Sequence, residues 1–225
     1  MCPVEFTKPR LILCEGTSDK TFFCELIRAK GLPDFQVHFP YGVKERTGGI
    51  TKYARFLNGA KVLDFQKVVR GVLLVADRDT DSAAQLDVVR EQLREEGFGV
   101  PRRELEYVRS PNGLPAVAVM MLPLNGPVGN LETELRPLAL AHWNHLENPL
   151  DAYFQASDAT RWDLGNQDKM KIQCLIAATC EPNPYGSLST LYMENARYHL
   201  PLNSPLLDHI AQVLIDFDAN VLAAA

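Results

Sequence analysis

No stretch of this 225-residue chain stays apolar for 18 residues, so no segment reads as a membrane-spanning helix. The N-terminal MCPVEFTKPR lacks a long apolar core, and no secretory leader is expected. Cysteine is sparse. Cys2, Cys14, Cys24, Cys174 and Cys180 are odd in number and never spaced as CxxC, which argues against a disulfide frame or a zinc knuckle and for reduced thiols in a cytoplasm. Cys14 and Cys24 read as small core residues. A surplus of positive charge is also missing: 23 Lys and Arg against 28 Asp and Glu give a net charge of −5, so the bulk field does not draw polyanions. There is no internal repeat and no low-complexity segment, and the terminal Ala223 to Ala225 is expected to fray.

What is present is a hydrophobic fraction of 46%, enough for a substantial core at this length. Arg10 to Cys14 reads as a strand, and Ser18 or Asp19 caps a helix that runs to about Lys30, where Gly31 and Pro33 stop it. Gly16 allows a tight turn beside whatever binds there. Phe35 to Phe39 is a second strand, and Ile50 to Val68 a helix with a candidate interruption at Asn58-Gly59. Val72 to Ala76 is a strand buried on both faces, followed by a helix from about Ser82 to Glu96 that Gly97 ends. Glu104 to Arg109 and Ala116 to Leu122, joined by the turn signal Ser110-Pro111-Asn112-Gly113, read as a strand pair added to the sheet edge. From about residue 130 the chain is mostly helical: Leu131 to Ala141, Leu150 to Ala156 after the break at Asn148-Pro149, Lys169 to Cys180, and Pro205 to about Ala219. The expected class is α/β, a parallel Rossmann-like sheet flanked by helices, with residues 1–128 as the α/β domain and 129–225 as a helical extension packed on it.

In parallel sheets, ligands bind at the carboxyl ends of the strands. Glu15 follows the first strand, and Asp77 and Asp79 follow the third, in GVLLVADRDTDS. Residues two apart in an extended chain point the same way, so Asp77 and Asp79 are expected to present two carboxylates from one side of a strand end. Such a pair repels itself, and a dication removes the repulsion. Asp81 or Ser82 reads as a helix cap. Between Tyr41 and Gly71 seven basic residues and two acids give a local charge of +5. Lys44, Arg46, Lys52 and Arg55 there are candidates for contact with phosphates, and a set of scattered solvated faces is the alternative.

LILCEGTSDKTFF and GVLLVADRDTD, each at a strand end and about sixty residues apart, together resemble the two acidic motifs of the Toprim domain. The resemblance covers roughly residues 10 to 125. It is nearest to the OLD-like nuclease branch and its short stand-alone relatives, whose first motif Glu-Gly-x-x-Asp is matched by Glu15, Gly16 and Asp19. That branch places an acidic cluster after the sheet, as in Leu131-Glu132-Thr133-Glu134-Leu135, and a later lysine, for which Lys169 and Lys171 are both candidates. The chain departs from full OLD proteins in having no GxxxxGK[ST] phosphate loop, so any nucleotide-driven control falls to a separate ATPase partner.

The resemblance implies phosphodiester chemistry on DNA or RNA without fixing the substrate, DNA being the expected partner of the two, with one or two Mg²⁺ or Mn²⁺ ions neutralising charge on the attacking and leaving oxygens. It implies Asp77 and Asp79 as metal ligands, Glu15 as a ligand or general base, and Asp19 completing one metal's shell. Glu132 or Glu134 would serve a second metal, and Lys169 or Lys171 would steady the phosphate. The alternative is a non-catalytic module that uses the same rim to hold a metal or a partner. His142 and His145 read as surface or packing residues, Asp216 and Asp218 as surface acids, and His38, His199 and His209 carry no pattern.

Overall fold

Short runs of Val, Leu, Ile, Ala and Met build a sheet that is apolar on both faces, as parallel strands between two helix layers must be. A computed structural model describes residues 5–40, 49–63, 65–192 and 199–223. Its strands are β1 (Arg10–Leu13), β2 (Gln36–His38), β3 (Gly71–Asp77) and β4 (Ala116–Leu122), ordered β2-β1-β3-β4 and all parallel. Leu13 pairs with Leu74, and Asp77 with Leu122, so β1 and β3 are neighbours and end on the same rim.

The helices are α1 (Thr17–Lys30), α2 (Tyr53–Val62), α3 (Ser82–Glu95), α4 (Leu131–His142), α5 (Glu147–Ala156), α6 (Leu164–Thr179) and α7 (Asp208–Ala223). Strand alternation sorts them. Ile12, Leu73, Val75, Ala118 and Met120 face α1, α4, α6 and α7 in one continuous buried cluster. Leu11, Leu13, Val72, Leu74, Val119 and Met121 face α2 and α3 in another. The helices after residue 130 therefore share a core with the sheet. At the start of β3 the backbone runs so close to α7 that a Cβ on Gly71 would lie 2.5 Å from Val221. No helix among the described residues is long and apolar enough to cross a membrane.

Several sequence expectations change. Ala116 to Leu122 joins the parallel sheet as β4, whereas Glu104 to Arg109 makes only a lone antiparallel bridge, Val108 to Val117, because Leu105 turns into the left-handed region (φ 59°). The segment from Ile50 to Val68 divides into a 3-10 turn (Ile50–Lys52), α2, and a second 3-10 turn (Phe65–Lys67); Asn58 and Gly59 do not interrupt α2. Helix α5 begins at Glu147 and takes Pro149 in its first turn, where no amide donor is needed. Helix α6 begins earlier than expected, at Leu164, because Asp163 caps it by accepting the Asn166 amide at 3.0 Å. Cys14 is buried as expected, but Cys24 is exposed. Asp218 is no surface acid: it pairs with Arg10 at the start of β1.

Candidate active site

The carboxyl rim of the sheet brings three distant segments together. Past β1, Glu15 accepts the Asp77 amide through Oε1 at 2.8 Å. Asp77, the last residue of β3, in turn accepts the Leu131 amide through Oδ1 at 3.2 Å, at the first turn of α4. Asp19 lies in the first turn of α1 and accepts the Gly16 amide at 2.8 Å. Gly16 is the helix cap, with extended backbone that any residue adopts. The cap thus falls earlier than Ser18 or Asp19, and no tight turn calls for glycine there. These hydrogen bonds fix each carboxylate and leave Asp77 Oδ2 and Asp19 Oδ1 without a protein partner among the described residues.

The acids feel one another. Burial pushes Asp19 up to about 7, with the charges of Glu15 and Glu132 adding to the rise. Asp77 is raised well above the usual carboxylate range by burial and then by Asp19, Glu15 and Glu132. Glu15 and Glu132 are raised too, each chiefly by burial, with Asp79 adding to the rise on Glu15. One cation opposes them all: the charge of Lys169 on α6 favours the ionised form of Glu15, Asp19, Asp77 and Glu132 alike. Lys171 points elsewhere, pairing with Asp151 at 3.0 Å over the Phe154 ring, so geometry separates the two candidate lysines. Lys169 also lines a shallow groove with Trp162, a residue that is 48% exposed.

Two of the expected ligands are placed differently. Asp79 does not continue the strand: its φ is +48°, its backbone exchanges two 2.8 Å hydrogen bonds with Gly129, and its carboxylate accepts Gln85 Nε2 at 3.0 Å. Strand alternation therefore fails one residue after Asp77, and Asp79 lies at the exposed margin. Glu134 is buried and already engaged by other partners. It accepts the Leu124 amide at 2.6 Å and pairs with His209, a residue in which the sequence showed no pattern. Of the basic candidates, Lys52 lies at the entry to α2 and Arg55 on its first turn, while Lys44 and Arg46 fall outside the described residues. His142 and His145 are exposed, with His142 edge-on to buried Trp143.

Residues that sequence reasoning missed hold the rim in shape. Arg78 is 9% exposed and makes a two-pronged pair with Glu104, while its Nε donates to the Pro123 carbonyl at 2.7 Å. Asn130, 1% exposed, caps α4 by accepting the Thr133 amide at 3.1 Å. Its neighbour Gly129 has φ +123°, and a Cβ there would lie 2.5 Å from Thr133 Oγ1. Gly-Asn ahead of an apolar helix is the sequence signal that could have marked this cap. Gly129→Ala is expected to destabilise the protein by about 2 kcal/mol, since it adds both backbone strain and a clash. Urea unfolding checks this, and a change below about 0.5 kcal/mol would contradict it.

Oxygen-only donors suit Mg²⁺ or Mn²⁺ rather than zinc. Among the described residues, no group of three or more His, Cys, Asp or Glu is already arranged to hold a metal ion. Magnesium does not require such a cage: it keeps several waters and accepts one or two carboxylates together with substrate phosphate. The unbonded oxygens of Asp77 and Asp19 fit that smaller demand.

A family model described as "Protein of unknown function (DUF3226)" matches residues 9–217, nearly the whole chain. No curated protein and no solved structure matches it.

Proposed function

Because the chain belongs to the DUF3226 family, whose description assigns no activity, we propose from the site itself that it is a divalent-metal-dependent phosphodiesterase acting on nucleic acid. The observation that carries this reading is the meeting of Glu15, Asp19, Asp77 and Glu132 around Lys169 at the carboxyl rim of a parallel sheet. The resemblance of the two acidic motifs to Toprim nucleases of the OLD-like branch points the same way. Four mutually repelling carboxylates with raised proton affinity are costly to keep, and a bound cation offsets that cost. A bound Mg²⁺ or Mn²⁺ would supply charge neutralisation at the scissile phosphate. Asp77 and Asp19 would hold it, with Glu132 on the α4 side of the same cluster. Glu15 would take the proton of the attacking water, a role suited to a carboxylate whose proton affinity burial has raised. Lys169 would hold a non-bridging phosphate oxygen, and Trp162 beside it offers a face on which an unpaired base can stack.

Incubation with plasmid, single-stranded DNA and RNA in Mn²⁺ or Mg²⁺ tests the reading; cleavage that stops in EDTA supports it, and no cleavage of any of them contradicts it. Lys169→Ala is expected to slow cleavage by about 10²-fold, whereas Lys171→Ala changes it less than twofold. Equal losses in the two variants would remove Lys169 from the site. A second reading, a non-catalytic module that binds a metal or a partner through the same rim, draws on the want of a pre-arranged three-acid group among the described residues. Metal binding without turnover would select it.

A further inference from the structure

The opposite end of the sheet carries a cavity of different chemistry. It lies at the start of β3, roughly 20 Å from Asp77 at about 3.3 Å per strand residue. The cavity is about 180 Å³ and is lined by Arg70, Tyr107, Arg109, Pro115 and Val221, among others. One water occupies roughly 30 Å³ in the liquid, so the space suits an ion with several more atoms attached.

Three donors there are unmatched. Tyr107 packs its ring edge-on against Phe217 of α7, with centroids 5.8 Å apart, and its buried hydroxyl has no hydrogen-bond partner. Folded proteins rarely leave a buried hydroxyl unsatisfied. The neighbouring Ser110 shows the contrast: its hydroxyl accepts the Gly99 amide at 2.9 Å and donates to the Pro115 carbonyl at 2.6 Å. Arg70 and Arg109 line the same cavity, and neither guanidinium makes an ion pair or a side-chain hydrogen bond among the described residues. Most other arginines here do pair: Arg10, Arg28, Arg78, Arg90, Arg94, Arg136 and Arg161 all have carboxylate partners.

We propose that this cavity is a binding site for a small phosphate-bearing ligand, held by Arg70, Arg109 and the Tyr107 hydroxyl. Guanidinium forks match phosphate oxygens, and the phenol adds a third donor. Three donor groups suit the three terminal oxygens of a phosphate monoester better than the two of a carboxylate. The site is independent of the acidic rim and stands whether or not the rim hydrolyses anything.

The test is an amide NMR titration of the full chain with sodium phosphate, and separately with acetate and chloride at matched ionic strength. Phosphate is expected to shift the amides of Gly113, Leu114 and Ala116 saturably, with Kd near or below about 1 mM. Arg70→Ala with Arg109→Ala should weaken it about tenfold or more, and Tyr107→Phe, which keeps the ring, about threefold. Both arginines are exposed, so these variants should fold, as their spectra will show. The proposal is overturned if phosphate moves the lining amides no more than chloride does, or if the double variant titrates like the wild type. Acetate binding tighter than phosphate would overturn the ligand class.

Discussion

Asp77→Asn is expected to abolish metal-dependent cleavage while making the metal-free protein more stable. The loss should be on the order of 10³-fold or greater, the several kcal/mol of charge stabilisation that a bound metal supplies. Asparagine can still accept the Leu131 amide, so the local geometry survives. What it removes is one negative charge from a set whose members raise one another's proton affinity. The sign follows from linkage. Asp19 holds its proton up to about 7 in the folded protein but releases it near 3.8 when unfolded, and Asp77 shifts in the same direction. Between those values the folded state binds more protons, so metal-free stability falls as pH rises from about 3.8 through about 7 on account of Asp19, and Asp77 adds a fall of the same sign. Thermal melts of wild type and Asp77→Asn from pH 4 to 8 read this directly. The variant should lose less stability across the window and melt a few degrees higher at pH 8, roughly 2–4 °C per kcal/mol for a chain of this size. Identical pH profiles would mean that the carboxylates do not interact as the geometry requires.

Arg78→Ala should be the most destabilising change near the rim, and should act by loss of structure rather than of chemistry. The side chain ties the end of β3 to Glu104, to Ser82 at the head of α3 and to the Pro123 carbonyl after β4. Removing one partner of an enclosed pair leaves the other charge uncompensated, and Glu104 is only partly exposed. A loss of about 3 kcal/mol is expected, and with it a fall in melting temperature of about 10 °C. Glu104→Gln, which keeps one acceptor, should be milder. At temperatures where Arg78→Ala remains folded, metal binding should persist, because Asp77 and Asp19 are untouched. A melting temperature within 2 °C of wild type would show that the Arg78 hub holds nothing together.

The strands and the acids that end them were legible because both rest on local pattern. The apolar run before Asp77 and the Leu-Ile-Leu before Glu15 could hardly be placed outside a buried sheet, and strand ends are where side chains reach a shared rim. Glu104 to Arg109 misled because its alternation is real but its backbone turns at Leu105, which composition does not reveal. Asp79 misled for the same reason: the two-residue rule holds only while the chain stays extended. Separating Lys169 from Lys171 needs the docking of α6 on α4, and separating Glu132 from Glu134 in the acidic cluster needs the pairing of Glu134 with His209, 75 residues later in α7. Long-range pairings of single side chains leave no periodic trace, whereas caps and strands do.

The central claim is that Asp77 and its neighbours at the sheet rim hold a divalent ion. Anomalous diffraction from crystals soaked in Mn²⁺ tests it most directly. The account predicts a peak at coordination distance, about 2.1 Å, from Asp77 and at least one of Asp19, Glu15 and Glu132, lost in Asp77→Asn. Saturating Mn²⁺ with no peak at that rim, or a peak held only by other residues, would contradict it.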